Sequence, residues 1–350
     1  MGFEMNVRKV VPYVPGEQPN RPNMIKLNTN ECPYPPAPEV VQVLENWKKE
    51  DLRLYPDPTS DILLDALSQV YHMPKDQIFV GVGSDDVLAM AFLTFFNSSK
   101  PILFPDITYS FYDVWADLFR IPYQKCALDD DFKICPKDYK QPNGGIIFPN
   151  PNAPTGVLMG LSEVEEIVSA NPDVVVIVDE AYVDFGGQSV LPLVDKYENL
   201  LVVQTFSKSR AMAGMRIGYA FGSKKLIGYL NDAKFSFNSY TMNRPSLLAG
   251  AACVKNEAYF KKITDKSIST REWTKKELKE LGFRFPDSYA NFIFAEHESV
   301  RAVELYQALR EQDIYVRYFN KPRIDNYLRI SIGTEEEMQK LIEFLRSYLK

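Results

Sequence analysis

The chain has 350 residues, enough for one large α/β domain and a smaller one, and a formal net charge of -6 at pH 7. This acidic balance, without a basic cluster or an apolar run of the roughly 20 residues that a membrane span needs, gives no reason to expect a nucleic acid or a membrane as partner. Four scattered cysteines are typical of reduced thiols in a cytoplasmic protein. The only two histidines, His72 and His297, both lie in polar segments, which argues against a multi-His metal site or a His-based triad.

The chain begins with a predicted N-terminal arm, residues 1–27, which is rich in proline and asparagine. We expect this arm to be extended and to pack on another subunit. After it, strand-like apolar runs alternate with helix-like stretches, which predicts a mainly parallel sheet. The pattern predicts a large domain over residues 46–257 and a smaller α+β domain over residues 28–45 and 258–350.

A glycine turn follows the first strand-like run, Ile78–Val80. The segment Gly81–Asp85 leads into an apolar helix-like stretch, and the free N–H groups at the start of such a helix point at an anion. The Ser84 hydroxyl can cap the helix. We predict an anion site rather than a dinucleotide site, because Asp86 stands where the dinucleotide fingerprint has its third glycine.

Two further strand-like runs end in residues suited to a flat ligand. Tyr109 follows Ile102–Phe104, where its ring can stack on a cofactor or form the edge of the core. Ile146–Phe148 leads into a loop of sequence Asn-Pro-Asn-Ala-Pro-Thr-Gly, which ends at Gly156. This loop is either a rigid support whose amides bond a ring hydroxyl or a plain turn.

The run Val174–Val178 has continuous β-branched residues, which predicts a strand buried on both faces of a parallel sheet. Asp179 ends this run, and a buried carboxylate needs a cationic or hydrogen-bonding partner. A protonated pyridine nitrogen is one such partner. A magnesium-binding or capping aspartate is the alternative, but no phosphate-binding loop of the Walker type accompanies it.

Lys208 comes just after the next apolar run, Leu200–Val203, and therefore lies at the same edge of the predicted sheet. Open α/β sheets bind their ligands at this edge. A desolvated lysine beside a guanidinium such as that of Arg216 attacks carbonyl groups and forms Schiff bases. An ordinary surface lysine in a loop is the alternative.

These segments resemble the fold-type I aminotransferases that depend on pyridoxal phosphate (PLP). The order of the matching strings agrees over residues 28–333, and further strings resemble the histidinol-phosphate aminotransferase family. Threonine-phosphate decarboxylases and some aromatic aminotransferases carry similar strings, so these alternatives stay open. The resemblance implies an α/β fold with a mainly parallel sheet in the large domain and a smaller α+β domain. The strings are Asp179-x-x-Tyr182, Ser207-Lys208, Gly83-Ser84-Asp85, the Asn-Pro-Asn-Ala-Pro-Thr-Gly loop, Val11–Tyr13, Leu27–Glu31, Arg53–Asp57 and Leu328–Gly333.

The resemblance implies a role for each matching residue at the cofactor. Lys208 would hold PLP as a Schiff base and then move the substrate proton. Asp179 would bind the pyridine nitrogen, Tyr182 would donate to the ring oxygen O3′, and Tyr109 would stack over the ring. The cofactor's phosphate group would be bound by Gly83, Ser84, Asp85, Ser207, Arg216 and, from the other subunit of a homodimer, Tyr55.

The resemblance also implies a substrate site for transamination between L-histidinol phosphate and 2-oxoglutarate, a step of histidine biosynthesis. Arg329 would bind the carboxylate of glutamate. Arg317 and Tyr13 would bind the phosphate of histidinol phosphate, and Asn30 would belong to the same substrate-binding set. Because the two arginines lie near the ends of two predicted strands, we expect their side chains to converge.

One position departs from the superfamily pattern. The wider superfamily has an asparagine immediately before Pro-Thr-Gly, where it bonds O3′, but this chain has Ala153 there. Either Asn152 replaces that asparagine, or Tyr182 makes the contact with less help. We predict that Asn152 takes this place at the cofactor.

Overall fold

The computed structural model describes residues 2–350, and Met1, the first residue of the predicted arm, lies outside the described residues. The α-helices are α1 (Pro38–Glu45), α2 (Asp61–Tyr71), α3 (Ser84–Phe95), α4 (Tyr112–Phe119), α5 (Leu161–Ala170), α6 (Lys224–Phe237), α7 (Arg244–Lys255), α8 (Glu257–Glu280), α9 (Ala302–Glu311) and α10 (Glu335–Tyr348). The strands are β1 (Ile25–Leu27), β2 (Ile78–Gly81), β3 (Ile102–Pro105), β4 (Tyr123–Cys126), β5 (Ile146–Pro149), β6 (Val176–Asp179), β7 (Leu200–Thr205), β8 (Gly218–Gly222), β9 (Phe283–Arg284), β10 (Phe292–His297), β11 (Ile314–Tyr318) and β12 (Leu328–Ser331). No helix among residues 2–350 is both long and apolar enough to cross a membrane.

A seven-stranded sheet forms the centre of the large domain, with the strand order β2-β8-β7-β6-β5-β3-β4. Strands β3 to β7 are parallel where they pair, and β8 is antiparallel to both of its neighbours. The predicted mainly parallel sheet is therefore confirmed.

The central strand β6 is buried at every position because each of its faces is covered by helices. Val176 and Val178 pack into the hydrophobic cluster that contains residues of α2, α5 and α7. Ile177, between them, packs into the cluster on the other face, with residues of α3, α4 and α6. Two covered faces explain why the sequence of this strand is apolar without alternation.

A five-stranded sheet, in the order β1-β11-β12-β10-β9, forms the smaller domain. Its apolar side chains share a cluster with residues of α8, α9 and α10, which is the predicted α+β arrangement. Strand β1 pairs in parallel with β11, although its residues fall within the predicted arm. A strand of three residues after a proline-rich stretch is too short to show a periodic pattern, so only the sheet reveals it.

Two other boundaries differ from the prediction. Helix α1, predicted to belong to the small domain, packs on the large domain, because Val40 shares a hydrophobic cluster with Leu247 of α7. The run Tyr289–Phe294 is strand-like in sequence, but the strand lies at Phe292–His297. Tyr289 is held instead by the loop after β5, since its N–H donates to the Gly156 carbonyl at 2.9 Å.

Candidate active site

The residues predicted to bind the cofactor meet at the carboxyl edge of the large sheet. Asp179 is the last residue of β6, and Lys208 follows β7 by three residues. Because β6 and β7 are parallel, the two ends lie side by side. A cavity of about 250 Å³ opens there, and its walls include Lys208, Tyr182, Tyr109, Arg317 and Arg329. This edge is where open α/β sheets hold their ligands.

Asp179 is buried and accepts two hydrogen bonds. The Tyr112 hydroxyl donates to Oδ2 at 3.0 Å, and the Ala181 N–H donates to Oδ1 at 3.2 Å. Burial raises the pKa of Asp179 to about 6, against these two hydrogen bonds, which lower it. A buried carboxylate of this kind gains stability from a cation beside it.

Tyr112 was not among the predicted site residues. It opens α4, three residues after Tyr109, and the two rings meet edge to face with their centroids 5.8 Å apart. Tyr109 precedes α4, so helical spacing does not relate the two residues, and no pattern in the sequence marks Tyr112.

Lys208 points into the cavity toward the segment that precedes α1. Its Nζ atom donates to the Thr29 carbonyl at 3.2 Å and lies 5.8 Å from the centroid of the Tyr182 ring. The Asn30 side chain donates from Nδ2 to the Tyr182 hydroxyl oxygen at 2.9 Å. The segment 28–30 therefore closes the site from the side of the small domain.

The turn between β2 and α3 forms a cradle with Arg216. The Arg216 guanidinium lies 3.3 Å from Asp85 Oδ2 and 3.4 Å from the Ser207 hydroxyl. Gly83 has a φ of +84°, and a Cβ atom there would meet the Arg216 guanidinium, so the turn requires glycine. The N–H groups of Ser84 and Asp85 lie in the first turn of α3, where no carbonyl of the helix precedes them.

Two details of this cradle differ from the sequence-based expectation or extend it. Ser84 does not cap the helix, because Gly83 is the N-cap residue and Ser84 is the first helical residue. Tyr109 donates its hydroxyl hydrogen bond to Asp85 Oδ1 at 2.8 Å, which fixes the ring between the cradle and the cavity. Burial, together with the charge of Asp85, raises the pKa of Tyr109.

Arg317 and Arg329 stand directly opposite each other on the antiparallel strands β11 and β12. The predicted convergence of the two side chains is therefore confirmed, since opposite residues project from the same face of a sheet. Arg329 donates from Nη2 to the Asn28 carbonyl at 2.8 Å, but its Nε has no hydrogen-bond partner among residues 2–350. Burial lowers the pKa of Arg329, and the charge of Arg317 lowers it further. An anion in the cavity would relieve both effects.

Tyr13 reaches the same cavity from the N-terminal arm. Its ring stacks on Phe111 with the centroids 4.1 Å apart and an interplanar angle of 19°. Tyr55, in contrast, is 80% exposed and packs on Tyr240, outside this cavity. One chain alone does not bring Tyr55 to Lys208.

Asn152 is buried, and its side chain forms hydrogen bonds within its own loop and with the loop after β3. Its Nδ2 donates to the Ile107 carbonyl and the Thr155 hydroxyl, both at 3.0 Å, and its Oδ1 accepts from the Thr108 hydroxyl at 3.1 Å. The cavity wall at this point is formed by Ala153 instead. This placement does not support the prediction that Asn152 replaces the missing asparagine at the cofactor.

Comparison with known proteins identifies the family. Residues 22–345 match the family model of class I and II aminotransferases. The chain belongs to this family. Among the relatives of this aminotransferase, the histidinol-phosphate aminotransferase of Lactococcus lactis subsp. cremoris is 52% identical over 350 residues, which cover 100% of this chain and 98% of that protein. Histidinol-phosphate aminotransferase 1 of Hydrogenovibrio crunogenus is 54% identical over 344 residues, with 98% of this chain and 97% of that protein covered.

The aminotransferase also shares its fold with solved structures. The crystal structure of histidinol-phosphate aminotransferase from Sinorhizobium meliloti, in complex with pyridoxal-5′-phosphate, superposes with a TM-score of 0.82 at 21% identity. The match covers 93% of this chain and 91% of that one. The predicted fold class and the predicted family are therefore confirmed.

Proposed function

We propose that this aminotransferase exchanges an amino group between L-histidinol phosphate and 2-oxoglutarate, with PLP as its cofactor, in histidine biosynthesis. The observation that carries the proposal is the Arg317–Arg329 pair beside Lys208. Glutamate brings a carboxylate to the site, whereas histidinol phosphate brings a phosphate and no carboxylate. An enzyme that accepts both in turn needs a second anion-binding group, which the pair supplies. The relatives named above, more than half identical over nearly the whole chain, support the same substrate.

The residues at the edge of the large sheet fit a phosphorylated pyridine aldehyde. The cradle around Gly83 and Arg216 offers a guanidinium and helix N–H groups to a phosphate. Burial raises the pKa of Asp179, so a protonated ring nitrogen beside it would stabilise its ionised carboxylate. Tyr109 would cover the ring, and Ser207 would add its hydroxyl to the phosphate site. When bound, the cofactor supplies the electron sink that stabilises negative charge at the substrate carbon.

The chain's own groups would perform the remaining tasks. Lys208 would bind the cofactor through its amine and then move the substrate proton. Its Nζ donates to the Thr29 carbonyl, and this contact holds it inside the cavity. Arg329 would bind the glutamate carboxylate through its unpartnered Nε and an Nη group, the two-pronged geometry that guanidinium groups offer to carboxylates. Arg317 and Tyr13 would bind the substrate's phosphate.

The proposal includes a homodimer in which each site is completed by Tyr55 from the other subunit. The surface around Tyr55 supports it, because Leu52, Tyr55 and Phe237 are all at least two-thirds exposed, as are Val11 and Val14 of the arm. Exposed apolar side chains of this kind mark interaction surfaces. We also propose a cytoplasmic location, which the four free cysteines of residues 2–350 support.

The experiment that tests the function is an amino-donor comparison with the purified protein, PLP and 2-oxoglutarate. We expect kcat/KM for L-histidinol phosphate to exceed that for L-histidinol by roughly 10- to 100-fold, the effect of one charge-assisted contact to the phosphate. The matched control, L-histidinol, differs only in that group.

Two results would redirect the proposal. Release of CO₂ from threonine phosphate, without amino transfer to 2-oxoglutarate, would indicate a decarboxylase. Equal or higher kcat/KM with phenylalanine or tyrosine would indicate an aromatic aminotransferase.

A further inference from the structure

The side chain of Asn30 links the small sheet to the hydroxyl group of Tyr182. Asn30 is 1% exposed, and its Nδ2 lies 2.9 Å from the Tyr182 oxygen. On its other side, the Ser331 hydroxyl donates to Asn30 Oδ1 at 2.8 Å, and the Asn30 N–H donates back to the Ser331 oxygen at 2.9 Å. Asn291 donates to the Asn30 carbonyl at 3.0 Å. The Asn30 side chain is therefore held by Tyr182 and Ser331, and its backbone is held by Ser331 and Asn291.

The backbone N–H of Asn30 determines the donor and the acceptor in each hydrogen bond that links Ser331, Asn30 and Tyr182. The Asn30 N–H can only donate, so the Ser331 oxygen accepts from it and uses its own hydrogen toward Oδ1. With Oδ1 engaged by Ser331, the amide presents Nδ2 to Tyr182. The Tyr182 oxygen accepts there, and its hydrogen must point elsewhere, into the cavity that Lys208 lines.

The backbone at this position explains why the residue is an asparagine. Asn30 has a φ of +57°, in the left-handed region, where asparagine and aspartate are several-fold more common than other side chains that carry a Cβ. Only asparagine combines this conformation with an amide donor, because an aspartate would accept from Tyr182 instead.

We propose that Asn30, held by Ser331, is a positioning residue that sets the Tyr182 hydroxyl as a hydrogen-bond donor toward the ring oxygen of the cofactor. It thereby compensates for Ala153, which leaves the loop after β5 without an amide at the cavity. The inference rests on the proposed function, since it concerns the same cofactor. It assigns Asn30 a role at the cofactor, whereas the sequence placed it with the substrate.

The test compares Asn30→Asp, Tyr182→Phe and the double variant with the wild type. The first readout is the affinity of the cofactor-free protein for PLP, measured by titration. The second readout is the pH midpoint at which the absorbance of the bound cofactor changes. A hydrogen bond from Tyr182 withdraws negative charge from the ring oxygen, which disfavours protonation of the nitrogen that joins Lys208 to the cofactor. Loss of that bond should therefore raise the midpoint.

We expect Asn30→Asp to raise the midpoint by roughly half to one pH unit, the range that corresponds to one hydrogen bond. PLP affinity should fall by roughly 2- to 10-fold. Tyr182→Phe should shift the midpoint equally, and the double variant should add nothing, because both changes remove the same donated hydrogen bond. Ser331→Ala, which keeps Asn30 but frees its amide to rotate, should produce a smaller shift in the same direction.

Asn171→Asp is the matched control. Asn171 is also a buried asparagine whose amide donates to carbonyl groups, those of Tyr139 and Ile167, away from the cavity. This variant should lower the melting temperature and leave the midpoint unchanged.

An unchanged midpoint in both Asn30→Asp and Ser331→Ala, or shifts that add in the double variant, would overturn the inference. If Asn30→Asp does not fold, Ser331→Ala alone decides. A wild-type protein without PLP absorbance would instead contradict the proposed function.

Discussion

The edge of the large sheet and the arginine-bearing strands of the small sheet face one cavity, but they hold their charges differently. At the large sheet, Asp179 accepts two hydrogen bonds, and Arg216 lies beside both Asp85 and Ser207. At the small sheet, Arg317 and Arg329 lie side by side, and neither forms an ion pair with a carboxylate among residues 2–350.

This difference separates a fixed ligand from exchanging ones. Charges with internal partners keep their positions whether or not a small molecule is bound, which suits a cofactor that stays through the reaction cycle. Two adjacent cations without a carboxylate are less stable, and an arriving anion lowers that cost. The small sheet is therefore suited to anions that bind and leave.

The sharpest test of the site at the edge of the large sheet is Lys208→Ala. We expect turnover to fall by at least about 10²–10⁴, the contribution of a general base alone, while PLP still binds as the free aldehyde. Stopped assays and a PLP titration measure the two effects separately. Lys262→Ala, a change at an exposed lysine of α8, is the control and should keep the wild-type rate. Turnover of Lys208→Ala within tenfold of wild type would exclude the lysine from the chemistry.

The second prediction concerns the stability of Asp179 in the cofactor-free protein. Its pKa is about 6 in the folded state against an ordinary 3.8, so the folded state holds this proton more tightly. Binding of this proton stabilises the folded state fully below about pH 4, and this stabilisation is lost as the pH rises through 6. Asp179→Asn lacks this loss, so its unfolding free energy relative to wild type should improve by up to about 3 kcal/mol between pH 4 and pH 7.

Urea unfolding at several pH values measures the effect of Asp179→Asn. The control is Asp131→Asn, because the Asp131 side chain is 77% exposed. Parallel pH profiles for wild type and Asp179→Asn would show that the carboxylate is not destabilised by burial.

The anion site at the small sheet is tested by replacing each of the two arginines in turn. Arg317→Ala should raise KM for L-histidinol phosphate by roughly 10- to 100-fold and leave KM for L-histidinol unchanged, since only the former has a phosphate. Arg329→Ala should damage glutamate binding most. Steady-state kinetics with the three compounds distinguish these effects. Equal losses for phosphorylated and unphosphorylated substrates would remove the distinction between the two arginines.

The smallest expected signal comes from mixing impaired chains. Tyr55→Phe keeps the ring that packs on Tyr240 and removes only the hydroxyl. When it is mixed in equal amounts with Lys208→Ala, half of the dimers combine both chains, and one of their two sites is intact. Recovered activity should reach roughly a quarter of the wild type if the sites are shared. No recovery after verified subunit exchange would mean that each chain holds a complete site.

The sequence by itself determined the elements with strong local patterns and the residues at their ends. Continuous apolar runs predicted β6 and β7, and parallel neighbours then placed Asp179 and Lys208 at one edge without further information. The glycine turn before α3 likewise marked the anion cradle, because a turn that needs a positive φ at Gly83 can be recognised in the sequence.

Only the tertiary structure decided how polar side chains far apart in the sequence pair with each other. Tyr112 reaches Asp179 across 67 positions, and Ser331 reaches Asn30 across 301. The same holds for Asn152, whose amide is engaged by Ile107 instead of facing the cavity. A single hydrogen bond between distant residues leaves no periodic pattern in the sequence, and its geometry is set only when the elements that carry the two residues pack together.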